Sequence, residues 1–269
     1  MSSAPALPRS AGRAPSRDAL RRGAVAVGAL VAVAGSAVGS GAFGGTPIAE
    51  AAGGALSADA TLVAPAGPAF AIWSVVYTGL VALAVWQALP AHARDARQRA
   101  TGWWVAASLV LNPAWIATVQ AGWVGASVLV IAALLTVLVV AFGRLVATRP
   151  AGVVEAVVVD GTVSLHLGWV SIATVANTAA WLKQAGLTAG EPAWAVAVLA
   201  VAAAVGVFTA VRSRGRLAFG AALTWGLAWV CAGRLSGTDS STAAAAAAAA
   251  AAAVVAGTTT AAQLRARRR

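Results

Sequence analysis

Trp169 to Trp181 reads WVSIATVANTAAW. Ser171, Thr174, Asn177 and Thr178 stand inside an apolar block, 157–182, that is long enough to cross a bilayer. A hydroxyl or amide in hydrocarbon costs free energy unless it is paired, so polar groups retained in a spanning helix face another helix or an enclosed cavity. At about 100° per residue, His166, Trp169, Ala173 and Asn177 fall on one face, at spacings of three, four and four. That face is the first candidate for a site that receives something.

Outward from this block the chain repeats its pattern. Of 269 residues, 60% are hydrophobic and 10% are charged, and the apolar residues come in blocks of about twenty separated by short arginine-bearing links. The blocks are continuous rather than alternating, which excludes a β-barrel and predicts an all-α, polytopic helix bundle in the lipid bilayer. Eight spans are expected, at 24–45, 68–89, 102–120, 123–142, 157–182, 192–211, 217–235 and 241–260.

The net charge of +11 raises nucleic acid as a partner, but the placement of the cations argues against it. If the N-terminus is inside, seventeen of the nineteen basic residues fall on the N-terminal side of the membrane, leaving Lys183 and Arg234 opposite. This asymmetry is the positive-inside signature of a multi-pass cell-membrane protein with both termini cytoplasmic. Residues 1–22, rich in Ser, Ala, Pro and Arg, are expected to form a disordered cytoplasmic tail, and 263–269 a basic one. The first apolar block is expected to be retained rather than cleaved, and its Gly35 and Gly39 suit close helix packing, including a homodimer. The GSGAFG run at 39–44 follows no strand and carries no weight as a nucleotide motif. Cys231 is the single cysteine, so no intramolecular disulfide forms.

Topology brings further residues to one depth. The second span descends from the outside with Phe70, Trp73 and Tyr77 on one face of its outer half, while the third and fifth ascend with Ser108, Asn112 and Trp115 and with Trp169, Ala173 and Asn177. Above them lies the longest link, 46–67, which carries Glu50 and Asp59 and no basic residue; long ordered links often serve as lids or binding elements. Six other tryptophans, at 86, 103, 104, 123, 181 and 194, sit at span ends, where an interfacial aromatic belt accounts for them. Asp160 is expected hydrated near the inner interface, and Arg234 snorkelling at an outer helix end.

These residues resemble the tryptophan-rich sensory protein and translocator protein family, TspO/MBR. The fifth-helix pattern WVSFATYLNxxxW is matched by Trp169, Val170, Ser171, Ala173, Thr174, Asn177 and Trp181 without a gap. LNxxW of the third helix is matched by Leu111, Asn112 and Trp115. Pro65, Gly67, Phe70, Trp73 and Tyr77 follow the second-helix pattern with one residue fewer between Phe and Trp. The resemblance covers 24–182 and divides the chain into a five-helix unit, 23–183, and three additional helices within 184–262. It implies a pocket under the first inter-helix loop that takes a porphyrin or haem, lined by Phe70, Trp73, Tyr77, Asn112, Trp115, His166, Trp169, Ala173 and Asn177. The indoles would offer flat faces and the amides would orient the ligand's polar edge. Where the family has an aromatic three residues before the fifth-helix Trp, this chain has His166, a candidate axial ligand to haem iron. Tyr77 has no Lys or Arg within the next five residues, so a sterol-type motif is absent.

Three functions stay open at this level. One is a receptor or carrier for a tetrapyrrole. The second is an enzyme degrading porphyrin oxidatively, which the resemblance links to Trp169. The third is a structural or regulatory membrane protein whose partner is another protein. No HExxH, phosphate loop, nucleophile elbow or metal-ligand cluster appears in the chain, so hydrolytic, phosphoryl and metal chemistry lack machinery.

Overall fold

Apolar blocks of this length can satisfy their backbone in lipid only as helices, and eight long helices form among the described residues. The computed structural model describes residues 14–42, 44–235 and 239–268. We number the helices α1 (Ala14–Gly39), α2 (Ile72–Ala88), α3 (Ala96–Gln120), α4 (Val124–Val146), α5 (Thr162–Gln184), α6 (Glu191–Arg212), α7 (Leu217–Leu235) and α8 (Thr242–Arg267). Each belongs to a segment long and apolar enough to cross a membrane, which makes the chain a multi-pass membrane protein.

Local chemistry sets several ends. Asp95 caps α3 by accepting from the backbone N–H groups of Arg97 and Gln98, and Ser241 caps α8 by accepting from Ala244. A 3₁₀ turn, Gly67–Ala71, with Pro68 in its first turn, leads into α2. A π-turn, Ala156–Gly161, leads into α5 and extends that transmembrane segment to Val153–Gln184.

α1 packs on α3 and α2, α3 on α4, α4 on α5, and α2 closes the five-helix ring against α5. The three C-terminal helices attach out of sequence order: α7 docks on α5, α8 packs on α7, and α6 packs chiefly on α8. The α5–α7 crossing is close. A Cβ at Gly168 would lie 2.5 Å from the Phe219 carbonyl oxygen, and one at Gly226 would lie 2.5 Å from Ile172 Cγ2. Small residues serve the poly-alanine helix in the same way, with Ala244, Ala248, Ala251 and Ala252 of α8 buried.

Three expectations change here, and the close packing expected of Gly35 and Gly39 finds its partner. Residues 14–22, expected in a tail, form the start of α1. Arg21 donates to Gln87 Oε1 at 2.6 Å and to the Ala93 carbonyl, while Asp18 binds Arg99 at 2.5 Å, so this turn is tied to the α2–α3 link. The rest of that expected tail, residues 1–13, lies outside the described residues, as does Arg269 of the C-terminal tail, whose residues 263–267 continue α8. Gly35 and Gly39 are used within the chain: a Cβ at Gly35 would meet Pro113 at 2.6 Å and one at Gly39 would meet Ile116 at 3.1 Å, so this face packs α1 onto α3. Asp160 is buried, 2% exposed, not hydrated. Arg97 of α3 and Arg216, just before α7, both bind its carboxylate, at 3.0 and 2.5 Å, and Arg97 also holds Glu155 at 2.7 Å. Arg234 does not snorkel either. It is 3% exposed because the 46–66 segment folds over it and supplies carbonyl acceptors.

Candidate functional site beneath the 55–66 segment

The long link is not a slack loop. Thr61, Leu62, Val63 and Ala64 are buried, and they bring the segment down over α2, α3 and α5. Its two ends are fastened differently. Near the start, Gln120 at the end of α3 donates to the Thr46 carbonyl and accepts from the Thr46 N–H. Towards the end, the Ala66 N–H donates to the Trp229 carbonyl at 3.1 Å and Trp225 Nε1 to the Ala69 carbonyl at 2.9 Å.

Beneath the segment is a small gap of about 30 Å³. Leu56, Ser57, Ala60, Thr61, Ala64 and Pro65 form its roof, while Phe70, Trp73, Trp115, Trp169, Ala173 and Asn177 form its wall and floor. The three helices turn their aromatic faces inward as their spacing predicts. Phe70 and Trp73 meet the Trp169 ring edge-on, at 5.7 and 6.1 Å between centroids and interplanar angles of 77° and 85°. A gap of this size has room for about one water. A second cavity of about 530 Å³ opens between α1, the 46–49 stretch and α2, and it shares Ile48, Phe70, Trp73 and Trp115 with the first. Tyr77, stacked on Trp73 at 5.4 Å, lines this second cavity and not the first.

The amides do not face the gap as ligand groups. Asn177 Oδ1 accepts from Trp115 Nε1 at 2.6 Å, and its Nδ2 donates to Ser127 Oγ at 2.9 Å, so its polar atoms are engaged by α3 and α4. Asn112 Nδ2 donates to the Tyr77 hydroxyl at 2.6 Å, and Asn112 lines neither cavity. Both amides thus join helices through aromatic or hydroxyl side chains, while Asn177 still lines the gap and the Asn112 side-chain oxygen is buried without a protein partner. His166 is a correction. It is fully buried, meets Trp73 edge-on at 5.8 Å, lines neither cavity, and so stands behind the indole rather than in reach of a macrocycle's centre.

Polar capacity at the gap comes from elsewhere. Trp169 is 2% exposed and its indole N–H has no protein partner, while the opposite indole, Trp115, spends its own on Asn177. On the roof, the Ser57 hydroxyl donates to Asp59 Oδ1 at 2.5 Å, and this bond holds the Asp59 carboxyl below the usual range. Asp59 thus carries its negative charge on the exposed side of the roof.

Ser127, Ala176 and the roof residues were not among the expected site residues. Ser127 had a readable signal: it is a lone hydroxyl near the start of α4, at the depth where Asn177 stands near the end of the antiparallel α5. The roof residues carry no such signal, because small, mildly apolar side chains become a lid only through what fastens them.

A family model described as TSPO-like protein matches residues 25–260, and thus reaches beyond the five-helix unit through α6, α7 and most of α8. No curated protein matches the chain, and no solved structure matches it.

Proposed function

Because the chain belongs to the TSPO-like family, we propose that it is a membrane receptor or carrier for a flat hydrophobic molecule, a porphyrin or haem, taken up beneath the 55–66 segment. The observation that carries the reading is the ring set: Phe70, Trp73, Trp115 and Trp169, from three segments distant in sequence, surround one gap, and the Trp169 N–H there is unpartnered. Aromatic walls with few free donors, the Trp169 N–H and the Thr61 hydroxyl, suit a planar apolar body bearing a few acceptor groups.

A macrocycle does not fit a gap of about 30 Å³ with the roof seated, so uptake requires the segment to lift. The adjoining 530 Å³ cavity, sharing four side chains with the gap, supports entry between α1 and α2. The arginine asymmetry supports a cell-membrane location with both termini cytoplasmic, which places the roof on the extracytoplasmic side.

Titrating the purified protein in detergent with protoporphyrin IX tests the reading through tryptophan fluorescence. Saturable quenching is expected, and Trp169→Phe, which keeps an aromatic ring but removes the indole N–H, should weaken it severalfold. Quenching that is linear, or identical in the variant, sinks the proposal.

A further inference from the structure

Helices α6 and α7 hold the roof, and they do so by pairing backbone groups that the roof cannot satisfy by itself. Arg234 of α7 donates from Nη2 to the Ala58 carbonyl at 2.5 Å and from Nη1 to the Thr61 carbonyl at 3.1 Å. The Leu62 N–H donates to Glu191 Oε1 at the start of α6, at 3.3 Å. The Ala66 N–H and the Ala69 carbonyl pair with Trp229 and Trp225 of α7. Five hydrogen bonds between Ala58 and Ala69 thus end on α6 or α7. The ring α1–α5 does not supply these partners. Without them, buried carbonyl and N–H groups of a non-helical segment would have to reach water, which only a lifted segment allows.

Arg234 is the centre of this arrangement. It is 3% exposed, and its hydrogen-bond partners among the described residues are carbonyl oxygens, Ala58, Thr61 and, at 3.2 Å, Asp239, while the carboxylates of Asp239, Asp59 and Glu191 act on its charge from farther off. When the segment rises, the guanidinium loses two of its three carbonyl partners, keeping only Asp239, and the segment loses its donors in the same motion. The arrangement favours two states, seated and lifted, over a graded opening.

We propose that α6 and α7, backed by α8, are a latch on the site, with Arg234 as the positioning residue that keeps the 55–66 roof seated and so sets how fast a ligand enters and leaves. The proposal deepens the reading of the site as a ligand pocket and rests on it for the ligand, but the latch itself is measurable without one.

Hydrogen–deuterium exchange of the full chain in detergent, read by mass spectrometry without ligand, tests the latch. In Arg234→Gln, exchange across 58–66 should rise about tenfold or more, while peptides from α4 keep their wild-type rate. Trp225→Phe removes one indole donor and should raise exchange near Ala69 severalfold, and it keeps the test open if Arg234→Gln does not fold. Unchanged exchange in a folded Arg234→Gln, or in Trp225→Phe where that is the only folded variant, overturns the latch. Stopped-flow quenching with protoporphyrin IX then reads the gate. Association and dissociation should both quicken in Arg234→Gln, by factors larger than the change in Kd; equal wild-type and variant rates overturn the gating role. If exchange rises as expected but protoporphyrin IX quenches neither protein, the latch stands and the porphyrin reading falls.

Discussion

Trp115 donates its indole N–H to the side-chain oxygen of Asn177 at 2.6 Å, across the α3–α5 interface. This bond fixes the angle at which one wall of the gap faces the other, and the amide's second contact, to Ser127, ties α4 into the same set. Asn177→Leu keeps the volume and leaves the buried Trp115 N–H without a partner, while the Ser127 hydroxyl keeps only its bond to the Val124 carbonyl. The expected loss is about 1–3 kcal/mol, seen as a lower midpoint in thermal unfolding in detergent, together with weaker protoporphyrin quenching. An unchanged midpoint would mean that the bond orients nothing.

His166 lies behind Trp73, outside both cavities. Bound haemin should therefore show the same Soret position in the wild type and in His166→Leu, with an affinity change below about threefold. A shift that depends on His166 would put the imidazole on the iron and require the Trp73 ring to move aside.

Asp160 receives both Arg97 and Arg216 while almost fully buried. Removing one member of such a set leaves charge without a counterpart. Asp160→Ala is expected to cost about 3–5 kcal/mol, whereas Arg216→Met, which leaves the Arg97–Asp160 pair in place, should cost less. Thermal unfolding of both variants checks the order, and the reverse order would refute this account of the cluster.

Gly168 has the Phe219 carbonyl where a side chain would begin. Gly168→Val should pry α7 from α5 at a cost of about 1–3 kcal/mol, and, because α7 carries the donors to the roof, exchange across 58–66 should quicken although the substitution lies well below it. Exchange confined to α5 and α7 would show that the two regions are independent.

Much of the architecture was legible because it follows from composition over long windows. Eight blocks gave eight helices, and α8 forms despite its alanine run, its buried alanines allowing close packing. The convergence of Phe70, Trp73, Trp115 and Trp169 was legible from spacing and span direction alone. What each polar residue does there was not. Whether Asn112 meets a ligand or Tyr77 depends on the rotation of a neighbouring helix, which periodicity within one helix does not encode. Asp160 and Arg234 were read as solvated because hydropathy places them near helix ends; Arg234 is buried by a link folding back over it and Asp160 among Arg97 and Arg216, both long-range events. The start of α1 was missed for a similar reason, since Asp18 and Arg21 find their partners about seventy to eighty residues away.

The spatial order α5–α7–α8–α6 has a consequence for assembly in the cell. A chain made from its N-terminus delivers α6 to the bilayer before α8, the helix against which it chiefly rests, has been synthesised. Residues 191–212 then wait in lipid as a strongly apolar span held mainly at its start, where Glu191 meets Lys183 of α5, and the 46–66 segment emerges much earlier still, without the guanidinium that will later hold it. Biogenesis therefore passes through a stage in which the pocket is uncovered, and sealing it is among the last events of folding.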